Sequence, residues 1–139
     1  MTSIKHDFYL ITKDMLDLSI KRGLSLNRNE VLKAIVVHDD IILNIIYYLK
    51  FVKFKSYTLK KEQYGIYYHG ISYIYGVELE LFKKVIHLCL ELFSLGQEEI
   101  KLTRDDCAKK ENIITELTDL EKMISEALKK NLIIMHYGV

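Results

Sequence analysis

Apolar residues at Ile4, Phe8, Ile11, Met15 and Leu18 recur in steps of four and three, and Lys5, Lys13, Asp14, Asp17 and Lys21 lie largely off that stripe. The spacing predicts a first helix from about Ser3 to Arg22, closed by Gly23. A seam of this kind suits a coiled-coil-like partner, which is either the rest of the same chain or a second copy. A second helix is expected from Glu30 to about Val37, where His38, Asp39 and Asp40 interrupt the pattern. The third, about Asp40 to Lys55, is apolar almost all round at Ile41, Ile42, Leu43, Ile45, Ile46, Leu49 and Val52, which assigns it to the centre of the core. Lys50, Lys53 and Lys55 then complement the negative end of its dipole.

Ser56 to Leu59 reads as a short strand. The stretch Tyr64 to Tyr75 mixes Tyr and Ile at strand-like density, with His69-Gly70 as a hairpin turn; the helical alternative is preferred because it leaves Gly76 at a turn before a further helix. That helix, Glu78 to Leu95, carries Phe82, Val85, Cys89 and Leu92 on one stripe, widened by Leu81, Leu88 and Phe93, and Gly96 ends it. Glu98 to Arg104 and Ile113 to Leu117 read as two strands around a polar turn, Asp105 to Asn112. Thr118 and Glu121 form a capping box for a last helix ending near Lys130, and the apolar Asn131 to Val139 is expected to dock on the core. The expected fold class is mainly α with a small β-wing, in one domain: residues 1–38 as N-terminal helices available for dimerisation, 40–130 as core, and 131–139 as a docked tail.

The charges balance, with 20 Lys and Arg against 19 Asp and Glu, so any attraction to polyanions must come from local segregation. Lys50 to Lys61 holds five lysines and no acid, a second candidate phosphate surface, whereas Glu62 to Ile100 holds six glutamates and two lysines. The apolar run Ile41 to Leu49 is too short to span a membrane, and Lys5, His6 and Asp7 interrupt any signal-peptide core. Cys89 and Cys107 match neither a zinc set nor a redox pair, so a reduced, cytoplasmic chain is expected. The absence of Pro and Trp and the heavy use of Ile, Leu, Lys and Tyr suit an AT-rich coding sequence, microbial or viral.

The order helix, short strand, helix, turn, helix, hairpin, helix over about residues 40–130 resembles the winged helix-turn-helix family. Ile71, Ser72, Tyr75, Gly76, Val77, Phe82 and Val85 fall where that motif needs them, and Glu116-Leu117-Thr118-Asp119-Leu120 is similar to the end of the wing in MarR-like regulators. The resemblance implies a sequence-specific DNA-binding transcriptional regulator, with double-stranded DNA and a second copy as partners. Lys83, Lys84 and His87 would face the major groove, and Lys101, Arg104, Lys109 and Lys110 the phosphates beside the wing. Glu78 and Glu80 in the first turn of the reading helix repel phosphate. The alternative is a non-catalytic protein-interaction module, such as a viral or mobile-element adaptor or inhibitor, docking through Leu79 and Leu81.

An enzyme is a weaker reading. His6, His38-Asp39 and Asp105 or Asp106 occur in an order similar to HD-type metal phosphohydrolases, but helix caps and turn residues explain them better. No phosphate-binding glycine loop or nucleophile elbow occurs, and neither a cofactor nor a metal is expected. His69, His87 and His136 have no partner at ligand spacing.

Overall fold

In the computed structural model, residues 4–23, 26–56, 61–103 and 106–139 are described. The chain runs β1 (Lys5–Ile11), α1 (Lys13–Arg22), a 3₁₀ turn (Arg28–Glu30), β2 (Lys33–His38), α2 (Asp39–Leu49), β3 (Lys53–Ser56), β4 (Glu62–Tyr64), β5 (Ile71–Ile74), α3 (Glu78–Ser94), β6 (Glu99–Lys101), β7 (Cys107–Lys109), α4 (Lys110–Lys130) and β8 (Ile133–Tyr137). Six strands form one antiparallel sheet in the order β2-β1-β8-β5-β3-β4, and β6 and β7 form a separate hairpin. β8 pairs with β1 on one side and β5 on the other, so it joins the β2-β1 pair to the β5-β3-β4 group.

This mixed α/β architecture corrects the expectation of a mainly helical fold with a wing, and the reason is visible in the pleat. Phe8, Leu10, Val37, Phe54, Ile74 and Ile134 pack on one sheet face under α2, α3 and α4; Tyr9, Ile11, Ile133 and Met135 pack on the other face with Leu16 of α1 and Leu26. Strands covered on both faces lose the alternation of apolar and polar residues that marks a half-exposed strand. The run Phe8 to Ile11 therefore satisfies helical spacing by accident. The expected N-terminal helix is instead β1 followed by α1, divided at Thr12, whose side chain accepts from the Met15 N–H at 3.2 Å, and closed by Gly23 at φ 63°.

Other boundaries shift for equally local reasons. The expected second helix is the 3₁₀ turn followed by β2, because β-branched Ile35, Val36 and Val37 pair with β1. The third helix ends at Leu49 and Lys53–Ser56 becomes β3; residues 57–60, most of the expected short strand, lie outside the described residues. Tyr64 to Tyr75 is not a helix, and it is not a two-stranded hairpin either, since β3 lies between β4 and β5. Of the expected wing, β6 stands close to its place, but Ile113 to Leu117 lies inside α4 and the partner strand comes from Cys107–Lys109, within the expected turn. Ile113, Leu117, Leu120, Ile124 and Ala127, spaced four and three apart, are all buried, so the Thr118 capping box is an interior turn of a helix of 21 residues.

Candidate functional site

Two features stand out from this frame, one buried and one exposed. On the face under α2, α3 and α4, the pleat brings His6 of β1, His136 of β8 and Ser72 of β5 into line, with Ser72 directly opposite His136 in the register. His6 Nε2 lies 2.8 Å from Asp39 Oδ1, His6 Nδ1 lies 2.8 Å from His136 Nε2, and Ser72 Oγ lies 3.2 Å from His136 Nδ1. Tyr68 donates its hydroxyl to the same Asp39 oxygen at 2.5 Å, and the Tyr67 N–H donates to Ser72 Oγ at 3.4 Å.

One set of proton positions satisfies every contact. The Asp39 carboxylate accepts from His6 Nε2–H, His6 Nδ1 accepts from His136 Nε2–H, and His136 Nδ1 accepts from Ser72 Oγ–H. Both imidazoles are then neutral. Burial drives this: desolvation lowers the His6 pKa against the opposing pull of Asp39, and desolvation with the neighbouring His6 lowers His136 to about 3. Burial, and then the bond to Asp39, raises Tyr68 to about 12, which keeps its proton for donation. A serine hydroxyl against an imidazole has the elements of an activated nucleophile. Here Ser72 and both rings are fully enclosed by packed elements, and the network joins three strands, the start of α2 and the turn that carries Tyr68.

The pairing of His6 with Asp39 belongs to this network, and among the described residues no three His, Cys, Asp or Glu side chains are grouped to hold a metal ion. Asp105 lies outside the described residues. His38 pairs instead with Glu116 of α4, at 2.9 Å from Nδ1, and its own N–H donates to the same carboxylate at 2.8 Å.

The exposed feature runs along α3. Leu81, Val85, Leu88, Leu92 and Leu95 repeat in steps of four, three, four and three, and only Val85 is buried. Leu88, Leu92 and Leu95 are 58%, 55% and 82% exposed, and beside them stand Tyr48 at 45% on α2 and Phe51 at 65% just beyond it. A groove of about 370 Å³ lies between them, lined by Tyr48, Phe51, Val85, Leu88, Leu92 and Leu95 among others. The opposite side of α3, with Leu79, Phe82, Ile86 and Cys89, is buried in the large core. So broad an apolar face on a helix already half-buried exceeds the scattered exposure of an ordinary surface.

The sequence-predicted residues are dispersed around this. Leu79 is buried and leaves the expected docking pair, while Leu81 belongs to the exposed seam. Lys84 and His87 are exposed on α3, Lys83 half-buried. His87 bonds Glu121 at 2.8 Å and lies 3.3 Å from Glu91, which raises its pKa, Glu121 first. Lys101 and Lys109 are exposed on the hairpin, but Lys110 donates to the carbonyls of Ser94 and Gly96, closing α3, at 3.3 and 3.0 Å. Arg104 lies outside the described residues. Glu98, Glu99 and Glu111 share a surface hollow with Lys109 and Lys110. In the Lys50 to Lys61 stretch, Lys53 and Lys55 each approach Glu62 at 3.5 Å. Among the described residues, His87, Lys53, Lys55, Lys109 and Lys110 thus each stand beside an acid. The expected N-terminal dimer seam is divided too, because Phe8 and Ile11 are buried in β1.

Sequence reasoning passed over Tyr47, Tyr48 and Phe51, and it read Leu88 and Leu92 as a widened core stripe. The heptad spacing of the α3 leucines was the available signal. For Ser72 and His136 there was none, because the partners lie 64 residues apart. No helix of the described residues is long and apolar enough to cross a membrane. Neither a protein-family model, nor a curated protein, nor a solved structure matches this chain.

Proposed function

We propose that the chain is a non-catalytic protein-interaction module that docks through the apolar face of α2 and α3. The observation that carries this reading is the heptad seam of α3, left open to solvent beside exposed aromatics of α2. Leaving such a face in water is unfavourable, and covering it with a second protein surface recovers that free energy. The alternative as a DNA-binding regulator rested on a winged helix, which the fold replaces. The enzyme reading gains no exposed acid, base or nucleophile from the buried cluster.

A photo-crosslinking amino acid placed at Leu88 or Phe51, with Lys129 as a remote control, tests the reading in cells. A discrete adduct formed from both face positions, absent from the control and lost with Leu92→Glu, is expected. Equal labelling from all three positions would overturn it. So would salt-sensitive affinity of the purified protein for duplex DNA, weakened by Lys101→Ala and Lys109→Ala.

A further inference from the structure

We infer that the occupant of this face is a second copy of the chain, with the two α3 helices packed antiparallel about a two-fold axis near Leu88. This names the partner of the face proposed above and rests on that reading. By the helical period Lys84 and Glu91 fall on the same side of the leucine seam; Lys84 lines a hollow with Leu128 of α4, and Glu91 reaches His87 as well as the rim of the groove that Tyr48 and Phe51 border. Lys84 and Glu91 stand seven residues apart, so within one copy they do not meet, and among the described residues Lys84 makes no ion pair.

A two-fold axis that makes two face-to-face helices antiparallel brings like flank to like flank. Lys84 then stands opposite Glu91 of the partner subunit, and the symmetry makes that pair twice. A parallel arrangement turns the flanks to opposite sides and sets Lys84 against the apolar border instead. Only the antiparallel arrangement gives Lys84 an acidic partner.

The apolar positions agree with the same axis. Leu81, Leu88 and Leu95 are spaced evenly by seven, so reversal about Leu88 exchanges the outer two. Leu81 of each copy falls on the region of the partner's Leu92 and Leu95, where the groove beside Tyr48 and Phe51 is open to receive it. The contact runs about 21 Å along each helix. Covering these leucines with Tyr48 and Phe51 removes on the order of 700 Å² from water per copy, close to the share of one partner in an interface of standard size.

Sedimentation and light scattering of the full chain over a concentration series test this. A dimer is expected. Lys84→Glu or Glu91→Lys alone should weaken it about tenfold at low ionic strength, and the two together should restore it. Leu88→Cys on a Cys107→Ser background should oxidise to a disulfide-linked dimer, since a residue at the axis meets its own copy. Unchanged tyrosine circular dichroism confirms that each variant is folded. Single reversals without effect, or a double reversal without rescue, would overturn the antiparallel pairing. A monomer at every concentration whose Leu88 probe still forms a discrete adduct with another protein would overturn self-pairing while leaving the interface standing. A monomer with no adduct overturns both.

Discussion

Two groups of residues stand on the opposite side of the boundary between core and surface from where their chemistry would place them. His6, Asp39, Ser72 and His136 are polar and buried, whereas Leu88, Leu92, Leu95 and Phe51 are apolar and exposed. The first group is complete: each of its polar atoms named above has a partner inside the fold, so the cost of desolvation is met locally. The second group has no cover within its own fold. On the function proposed above, the difference separates what serves the fold from what serves an encounter, and it predicts that the two groups respond to substitution in opposite ways.

The sharpest contrast lies at Asp39. Asp39→Ala leaves the His6 Nε2–H and the Tyr68 hydroxyl unpaired in the core, and urea unfolding should show a loss of about 3 kcal/mol. Next comes acid. Unfolded histidine binds protons below its ordinary pKa of 6.5 while folded His136 does not until about pH 3, so stability is full above 6.5 and falls as pH drops through that window. Between pH 6.5 and 5 His136 alone should cost about 2 kcal/mol, with His6 acting in the same direction, and His136→Gln should flatten the slope. His87, whose pKa is raised, acts with the opposite sign: its contribution is present below 6.5 and lost as pH rises through its folded value, so the two effects occupy different ranges.

Smaller effects probe the edges of the comparison. Tyr67 Oη is the one buried side-chain oxygen or nitrogen among the described residues without a hydrogen-bond partner, so Tyr67→Phe should raise the unfolding free energy by about 1 kcal/mol. On the seam, Leu95→Ser should leave the thermal midpoint of the dilute protein almost unchanged, within about 0.5 kcal/mol. A large loss there would show that Leu95 belongs to the fold and not to an encounter surface.

What the sequence made legible follows the same division. α3 could be read with nearly its true bounds, Glu78 to Ser94, because a helix with one buried face keeps its period. The same residues carried the seam, and its 4-3 spacing was readable without showing which leucines would remain outside. β1 and β8 were illegible because layers on both sides of the sheet bury successive residues, and a run such as Ile133-Ile134-Met135 has no polar face to reveal a strand. The histidine cluster was half-legible: the sequence sets His6 and Asp39 in one candidate ligand group, and the strand register that adds Ser72 and His136 is a long-range property.

The position of β8 also governs when this fold forms. Its neighbours are built from residues 5–11 and 71–74, yet neither group is joined to the other until residues 133–137 arrive between them. A chain emerging from the ribosome thus carries two open strand edges until residues 133–137 have been made. Pairing across such sequence distances is slow compared with helix formation, so α3 is expected to form ahead of the sheet that seats it. In that interval the seam is open to whatever it meets first, which makes the rate of β8 insertion, and not only final stability, a determinant of how much of the chain reaches its native state.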